Sequence, residues 1–199
     1  MAKIILMLGL KLPTDPRWVN LVESNIAEIL TDHAWCEQKA TSNAISLIVS
    51  YPENAEMVTV LSEIAQEEML HFKQVHDLIQ KRGYKFGAKR KDDYVNELIT
   101  IVRTGATRDI VLLDKLLFAA MIEARSCERF KMLSEKINDK ELSQFYYHLM
   151  VSEALHYTTF IKLARTYVPH LDVDKRWQEF LDFEAKIMLN YSKKETMHG

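Results

Sequence analysis

Ala65-Gln66-Glu67-Glu68-Met69-Leu70-His71-Phe72 and Val151-Ser152-Glu153-Ala154-Leu155-His156-Tyr157 share one pattern: a glutamate followed three positions later by a histidine inside an apolar repeat of helical period. That spacing sets carboxylate and imidazole a turn apart on one helical face, where both reach one metal ion. A single Glu-x-x-His says little. With 17 glutamates and 7 histidines in 199 positions, chance alone supplies about 0.6 of one. A third copy, Glu195-Thr196-Met197-His198, lies in the polar tail and is read as that accident.

The first two gain weight from their partners. Glu37 stands 31 residues before Glu68, and Glu123 stands 30 before Glu153. Helical periodicity predicts long helices over 24–50, 53–82, 107–137 and 139–168, with Pro52 and Gly83 as breaks. All four glutamates then fall at mid-helix, on apolar stripes, in one layer whichever way each helix runs. Four carboxylates in a helical core are prohibitively costly unless cations accompany them. Two divalent ions bring four positive charges against four negative ones. Glu37, Glu68, His71, Glu123, Glu153 and His156 are therefore the candidate ligands of a di-iron or di-manganese carboxylate centre.

The rest of the chain agrees with a bundle. Five Gly and four Pro in 199 residues argue against a turn-rich β-sandwich or barrel and for long helices joined by few loops. Tight connections after the first and third long helices make each pair antiparallel. The 83–106 stretch is long enough to run the length of a bundle and has room for a short helix at 93–103. Asp15 and Pro16 start a short helix over 16–22, and Asp172 or Asp174 starts a last one reaching about 192. The expected fold is all-α: a ferritin-like four-helix bundle with one long crossover connection and short accessory helices, a single domain over 1–199.

Charge and cysteine content exclude several functions. A net charge of −2, from 26 basic and 28 acidic residues, excludes a globally basic nucleic-acid binder but leaves room for a local basic patch. Two cysteines, Cys36 and Cys127, cannot form a disulfide framework or a four-Cys metal module. Both lie in helical patterns and read as free buried thiols. The N-terminal apolar run is too short to span a membrane, and the expected location is cytoplasmic, with no membrane partner.

Around the six ligands, Glu67 and Ser152 lie four residues before His71 and His156, and Thr41 and Cys127 lie four after Glu37 and Glu123. These positions could hold the ligands in place or be packing. Tyr157, Trp35 and Met69 read as core or pocket lining, His33 and His148 as ordinary core or surface histidines, and Asp32 as a solvated charge. Between positions 81 and 91 stand Lys81, Arg82, Lys85, Lys89, Arg90 and Lys91 with no acidic residue, interleaved with Tyr84 and Phe86. Positive charge beside stacking rings suits single-stranded nucleic acid, and a solvated loop is the plainer alternative.

The strings LTDHAWCEQKATSNA (30–44), EEMLHFKQV (67–75), IEARSCERF (122–130) and SEALHYTTF (152–160) resemble those of the bacterial tRNA-(2-methylthio-N6-isopentenyladenosine) hydroxylases. The resemblance runs from LKLPTDPRWV near the start to RWQEFLDFEAK near the end, and all six ligand positions are intact. It implies a non-haem di-iron monooxygenase that uses dioxygen and reducing equivalents. Such an enzyme hydroxylates the isopentenyl group of the hypermodified adenosine next to the anticodon, with tRNA as substrate and a separate electron-donor protein. Under that resemblance the basic run, joined by Arg103, Arg108 and Lys115, would hold tRNA phosphates. An oligomer is not required. The alternatives are a ferritin-like di-metal oxidase or ferroxidase acting on iron or a small molecule without RNA, and a rubrerythrin-like peroxidase, which would normally bring the four-Cys module this chain lacks.

Overall fold

A computed structural model describes residues 8–89 and 91–191. Seven α-helices and one short 3-10 turn account for the regular structure, and no strand occurs among the described residues: α1 (Trp18–Ser24), α2 (Ile26–Ser50), α3 (Ala55–Lys81), α4 (Asp93–Leu98) running into the turn Ile99–Ile101, α5 (Arg108–Lys136), α6 (Lys140–Tyr167) and α7 (Val173–Tyr191). Each expected element is present, with ends displaced by a few residues. The four long helices have 25, 27, 29 and 28 residues, or about 37–44 Å at 1.5 Å per residue. Among the described residues, no helix is long and apolar enough to cross a membrane.

The chain divides into two compact units. The first, residues 24–91, is the antiparallel hairpin of α2 and α3 with the start of the crossover. Its α3 ends on Gly83, whose φ of 68° is left-handed. There the Tyr84 N–H donates to the Ile79 carbonyl and the Gly83 N–H to the Gln80 carbonyl, both at 3.0 Å, the reciprocal closure that a glycine makes cheap. The crossover then folds back on its own hairpin. Phe86 stacks on Trp35 with centroids 5.0 Å apart and meets Phe72 and His76 edge-on. Trp35 Nε1 donates to the Gly87 carbonyl at 3.1 Å. A Cβ at Gly87 would come within 3.2 Å of the Thr31 methyl, so glycine permits this close approach.

The second unit joins residues up to 23 with those from 92 onward. The antiparallel pair α5 and α6 forms its body, with α4 and α7 packed alongside. Side-chain caps start its helices: Asp92 accepts from the Val95 N–H, Asp139 from the Leu142 N–H (3.0 Å each), and Asp172 from the Lys175 N–H (2.9 Å). At α1, Asp15 accepts from the Arg17 N–H at 2.9 Å. The Arg17 side chain bonds the same carboxylate and holds Asp15 down at about 2. Helix α5 is buried on nearly every side from Leu112 to Leu133, which makes it the axis of this unit.

Candidate metal centre

Each unit carries one half of the expected ligand set, built in the same way. In the hairpin, Glu37 sits at the middle of α2, and Glu68 and His71 at the middle of α3. All three are buried, with donor atoms within 4.8 Å of one another. His71 Nδ1 lies 3.5 Å from Glu68 Oε2 and 3.8 Å from Glu37 Oε2. In the second unit, α5 supplies Glu123 and α6 supplies Glu153 and His156. They too are buried with donors within 4.8 Å, and His156 Nδ1 is 3.5 Å from Glu153 Oε2. The i, i+3 spacing thus produces the same 3.5 Å carboxylate–imidazole pair twice.

The two 3.5 Å distances suit an ion better than a hydrogen bond. A first-row divalent ion holds imidazole nitrogen and carboxylate oxygen about 2.0–2.2 Å away, so two donors on one ion stand about 3.0–3.5 Å apart. Direct hydrogen bonds run shorter, at about 2.7–3.2 Å. Each trio also offers two carboxylates and one imidazole, a charge of −2 that one divalent ion balances. The buried Glu and His residues fit a di-iron site in donor type, charge and spacing.

The other candidates are placed as follows. Glu67 is about half exposed, with Oε1 3.9 Å from His71 Nε2. Thr41 is buried, and its hydroxyl donates to the Glu37 carbonyl at 3.0 Å. The buried Cys127 thiol donates to the Met150 carbonyl at 3.4 Å. Burial, with the charges of Glu153 and Glu128 behind it, pushes that thiol up to about 12. Ser152 is buried. Both cysteines are free and buried, as expected. Tyr157 packs on Trp177, and Met69 is 44% exposed.

One reading of α2 changes. Asp32 is buried, not solvated, because Thr31, Asp32, His33 and Ala34 are covered in succession and this part of the helix has no solvent face. His33 is a satisfied core histidine. Its Nε2 lies 2.5 Å from Glu37 Oε1, one turn along the same helix.

In the basic run Lys81, Lys85, Lys89 and Lys91 are exposed and Arg82 is half-buried, while Arg90 lies outside the described residues. Phe86 is turned onto Trp35 and so is not a free stacking ring. Arg103 is committed elsewhere: its backbone N–H, Nε and Nη2 all donate to Asp114, at 2.8, 2.9 and 2.7 Å. Arg108 is exposed and Lys115 half-buried.

Sequence reasoning missed a second buried ionic cluster, two residues beyond Glu123. Arg125 donates to Glu184 through Nε (2.8 Å) and Nη2 (2.5 Å), to Glu128 (3.0 Å) and to the Leu12 carbonyl (3.0 Å). The Thr14 hydroxyl donates to Glu128 at 2.7 Å, and the Arg129 guanidinium lies 4.8 Å over the Trp18 ring. The available signal was Glu184 on an apolar stripe with Phe180, Leu181, Ile187 and Met188, the same sign that marked the four candidate ligand glutamates.

With this geometry established, comparison with known proteins is informative. The sequence profile of the tRNA-(MS[2]IO[6]A)-hydroxylase (MiaE) family matches residues 3–199. Curated relatives named tRNA 2-(methylsulfanyl)-N(6)-isopentenyladenosine(37) hydroxylase include one from Pseudomonas putida, 38% identical over 161 residues and covering 81% of this chain and 77% of the relative. Another, from Salmonella typhimurium, is 26% identical over 236 residues, covering 94% and 86%. Among solved structures, the chain is similar to "Protein 43 with aldehyde deformylating oxygenase activity" from Synechococcus. The TM-score is 0.87 at 32% identity, over 96% of this chain and 95% of that one. The shared fold is the ferritin-like helical bundle.

Proposed function

The chain belongs to the tRNA-(MS[2]IO[6]A)-hydroxylase family, and from that premise we propose that its two buried trios together hold two iron ions in one catalytic domain. On this reading the chain is an oxidoreductase that hydroxylates the isopentenyl group of 2-methylsulfanyl-N6-isopentenyladenosine at position 37 of tRNA. The observation that carries the ligand assignment is the repeated trio, two carboxylates and one imidazole per unit, buried with donors within 4.8 Å.

A reduced di-iron centre supplies the activation of dioxygen that hydroxylating an unactivated allylic methyl requires. The chain's own residues do the rest. Glu37, Glu68, Glu123 and Glu153 balance the charge of two ferrous ions, and His71 and His156 present Nδ1 toward their neighbouring carboxylates. Burial of all six keeps bulk water from the reacting atoms, where it would quench an oxidant. Lys81, Arg82, Lys85, Lys89, Arg90 and Lys91 bind phosphates of the anticodon arm, and the aromatic contacts of Phe86 hold their backbone against the hairpin. Electrons come from a separate donor protein, and the enzyme works where tRNA is, in the cytoplasm.

A small-molecule oxygenase is the second reading, favoured by the aldehyde deformylating activity in the name of the Synechococcus relative. One experiment separates the two. The protein is loaded with ferrous iron, given reductant and air, and incubated in parallel with tRNA carrying the methylsulfanyl-isopentenyl nucleoside and with a long-chain aldehyde. The expected result is a nucleoside heavier by one oxygen atom on mass spectrometry, absent with Glu68→Ala, and unchanged aldehyde. Aldehyde turnover with unmodified tRNA would overturn the tRNA reading.

A further inference from the structure

We propose that Trp35 is a positioning residue for tRNA: with Thr31 it pins Gly87 to α2 and so holds Lys85 and Lys89 in fixed register for phosphates. The inference rests on the tRNA reading above and deepens it. Residues 84–89 have no helix or strand of their own, so their backbone takes its course from the contacts it makes. It is anchored twice. At one end stands the Gly83 turn that closes α3. Four residues on, α2 takes both backbone polar groups of Gly87. The Gly87 carbonyl accepts from Trp35 Nε1 at 3.1 Å, and its N–H donates to the Thr31 hydroxyl oxygen at a long 3.5 Å. Thr31 and Trp35 are one turn apart on one face of α2, so the helix itself spaces the two contacts.

The same indole carries Phe86, stacked at 5.0 Å and 22°, while Phe72 and His76 of α3 meet the Phe86 ring edge-on at 6.1 and 5.3 Å. Trp35 is thus both a ring for Phe86 and a donor for Gly87. The backbone of Gly87 is not left-handed. Its missing side chain therefore serves the approach to α2, where a Cβ would stand 3.2 Å from the Thr31 methyl. Lys85 lies between the two anchors and Lys89 two residues past the second, both exposed. On an unanchored segment these lysines would be ordered only as phosphate bound, and that ordering weakens binding. The clamp orders them beforehand. Trp35 also stands two residues before Glu37, about 200° round the helix. One rigid helix thereby refers the phosphate-holding lysines to a candidate ligand.

The test is a double-mutant cycle read in tRNA affinity. Trp35→Phe keeps a ring and loses the N–H, whereas Trp35→Leu loses both. Each is made in the whole chain and again together with Lys85→Ala and Lys89→Ala. Binding of a fluorescent anticodon stem-loop carrying the methylsulfanyl-isopentenyl nucleoside is followed by anisotropy over a salt series. Trp35→Leu should weaken binding about 10–100-fold and lower the salt slope by about 1–2. Trp35→Phe should weaken it about 2–10-fold, the loss of one hydrogen bond. In the double-alanine background each change should cost less than about twofold, because the groups that Trp35 positions are gone. Affinities of both variants within about twofold of wild type would overturn the proposal. So would equal losses in the two backgrounds, the mark of a merely structural role. Should Trp35→Leu unfold, the Trp35→Phe cycle decides alone. A wild type with no measurable affinity for the stem-loop would instead remove the tRNA reading beneath it.

Discussion

Glu123 and Arg125 stand two residues apart on α5, both buried, and belong to clusters that meet the cost of burial in opposite ways. The Arg125 cluster balances itself: Arg125 and Arg129 face Glu128 and Glu184, two charges of each sign, with Thr14 and the Leu12 carbonyl taking further hydrogen bonds. Burial opposes the charge on Arg125, but Glu184 and Glu128 outweigh it and hold that guanidinium above its usual range. Burial and the neighbouring Arg125 pull Arg129 down to about 10, still charged at neutral pH. The Glu123 trio, like the Glu37 trio, contains acids and imidazole with no guanidinium or ammonium among its members. Two acids and one imidazole give each trio a charge of −2, which one divalent ion would balance. The same helix thus carries part of a self-balanced ion cluster and one member of a candidate ligand set.

That contrast can be broken first at its self-balanced end. Arg125→Ala leaves Glu184 and Glu128 buried without their main cation and should cost about 3–5 kcal/mol, a large part of the stability of an ordinary domain. Chemical denaturation reads it directly, and a loss below about 1 kcal/mol would show that the cluster tolerates an uncompensated acid. Glu68→Ala should behave in the opposite manner. The metal-free protein should melt no lower than wild type, since a repelling carboxylate has gone. The stabilisation by added ferrous iron, about 2.7 kcal/mol at a hundredfold excess over Kd, should vanish along with the bound metal.

Asp114 offers an intermediate case, a fully buried acid served by two arginines. Burial raises its pKa, but hydrogen bonds from Arg103 and Arg176 more than offset that, so Asp114 lies below the usual carboxylate range. A lowered carboxylate adds stability above its unfolded value near 3.9, and that stability is lost as pH falls through the folded value. Asp114→Asn should therefore cost about 1–3 kcal/mol at neutral pH, with the gap to wild type closing below about pH 4 in denaturation curves. The smallest expected effect is at the surface. Replacing Lys89, Arg90 and Lys91 together with Ala should lower the salt slope of tRNA affinity by about 1 for each phosphate no longer held, with metal content unchanged. An unaltered slope would return that run to an ordinary solvated loop.

The fold was largely legible because its signals are local. Scarce Gly and Pro, helical periodicity, Gly83 as a stop, and Asp172 or Asp174 as a start need no knowledge of distant contacts. The burial and clustering of the six candidate ligands were legible for a related reason: a carboxylate on an apolar stripe is anomalous on its own, and four at mid-helix reinforce one another. The same sign at Glu184 went unread because its partners, Arg125 and, through it, the Leu12 carbonyl, are far away in sequence. Asp32 was misjudged because a helix covered on every side has no polar face to reveal in its periodicity. The packing of Phe86 went unread because nothing in a basic loop shows that Trp35, on the preceding helix of the hairpin, will stack on it.

The central claim is that the two trios are completed by metal, and the iron content of the folded chain tests it most directly. Metal-free protein is reconstituted anaerobically with ferrous iron, desalted and assayed for iron per chain beside Glu68→Ala and Glu153→Ala. The account predicts two iron atoms per chain in the wild type and a clear loss in both variants, with helical content unchanged. Wild-type protein that stays folded and retains no iron, or variants that retain both atoms, would contradict it.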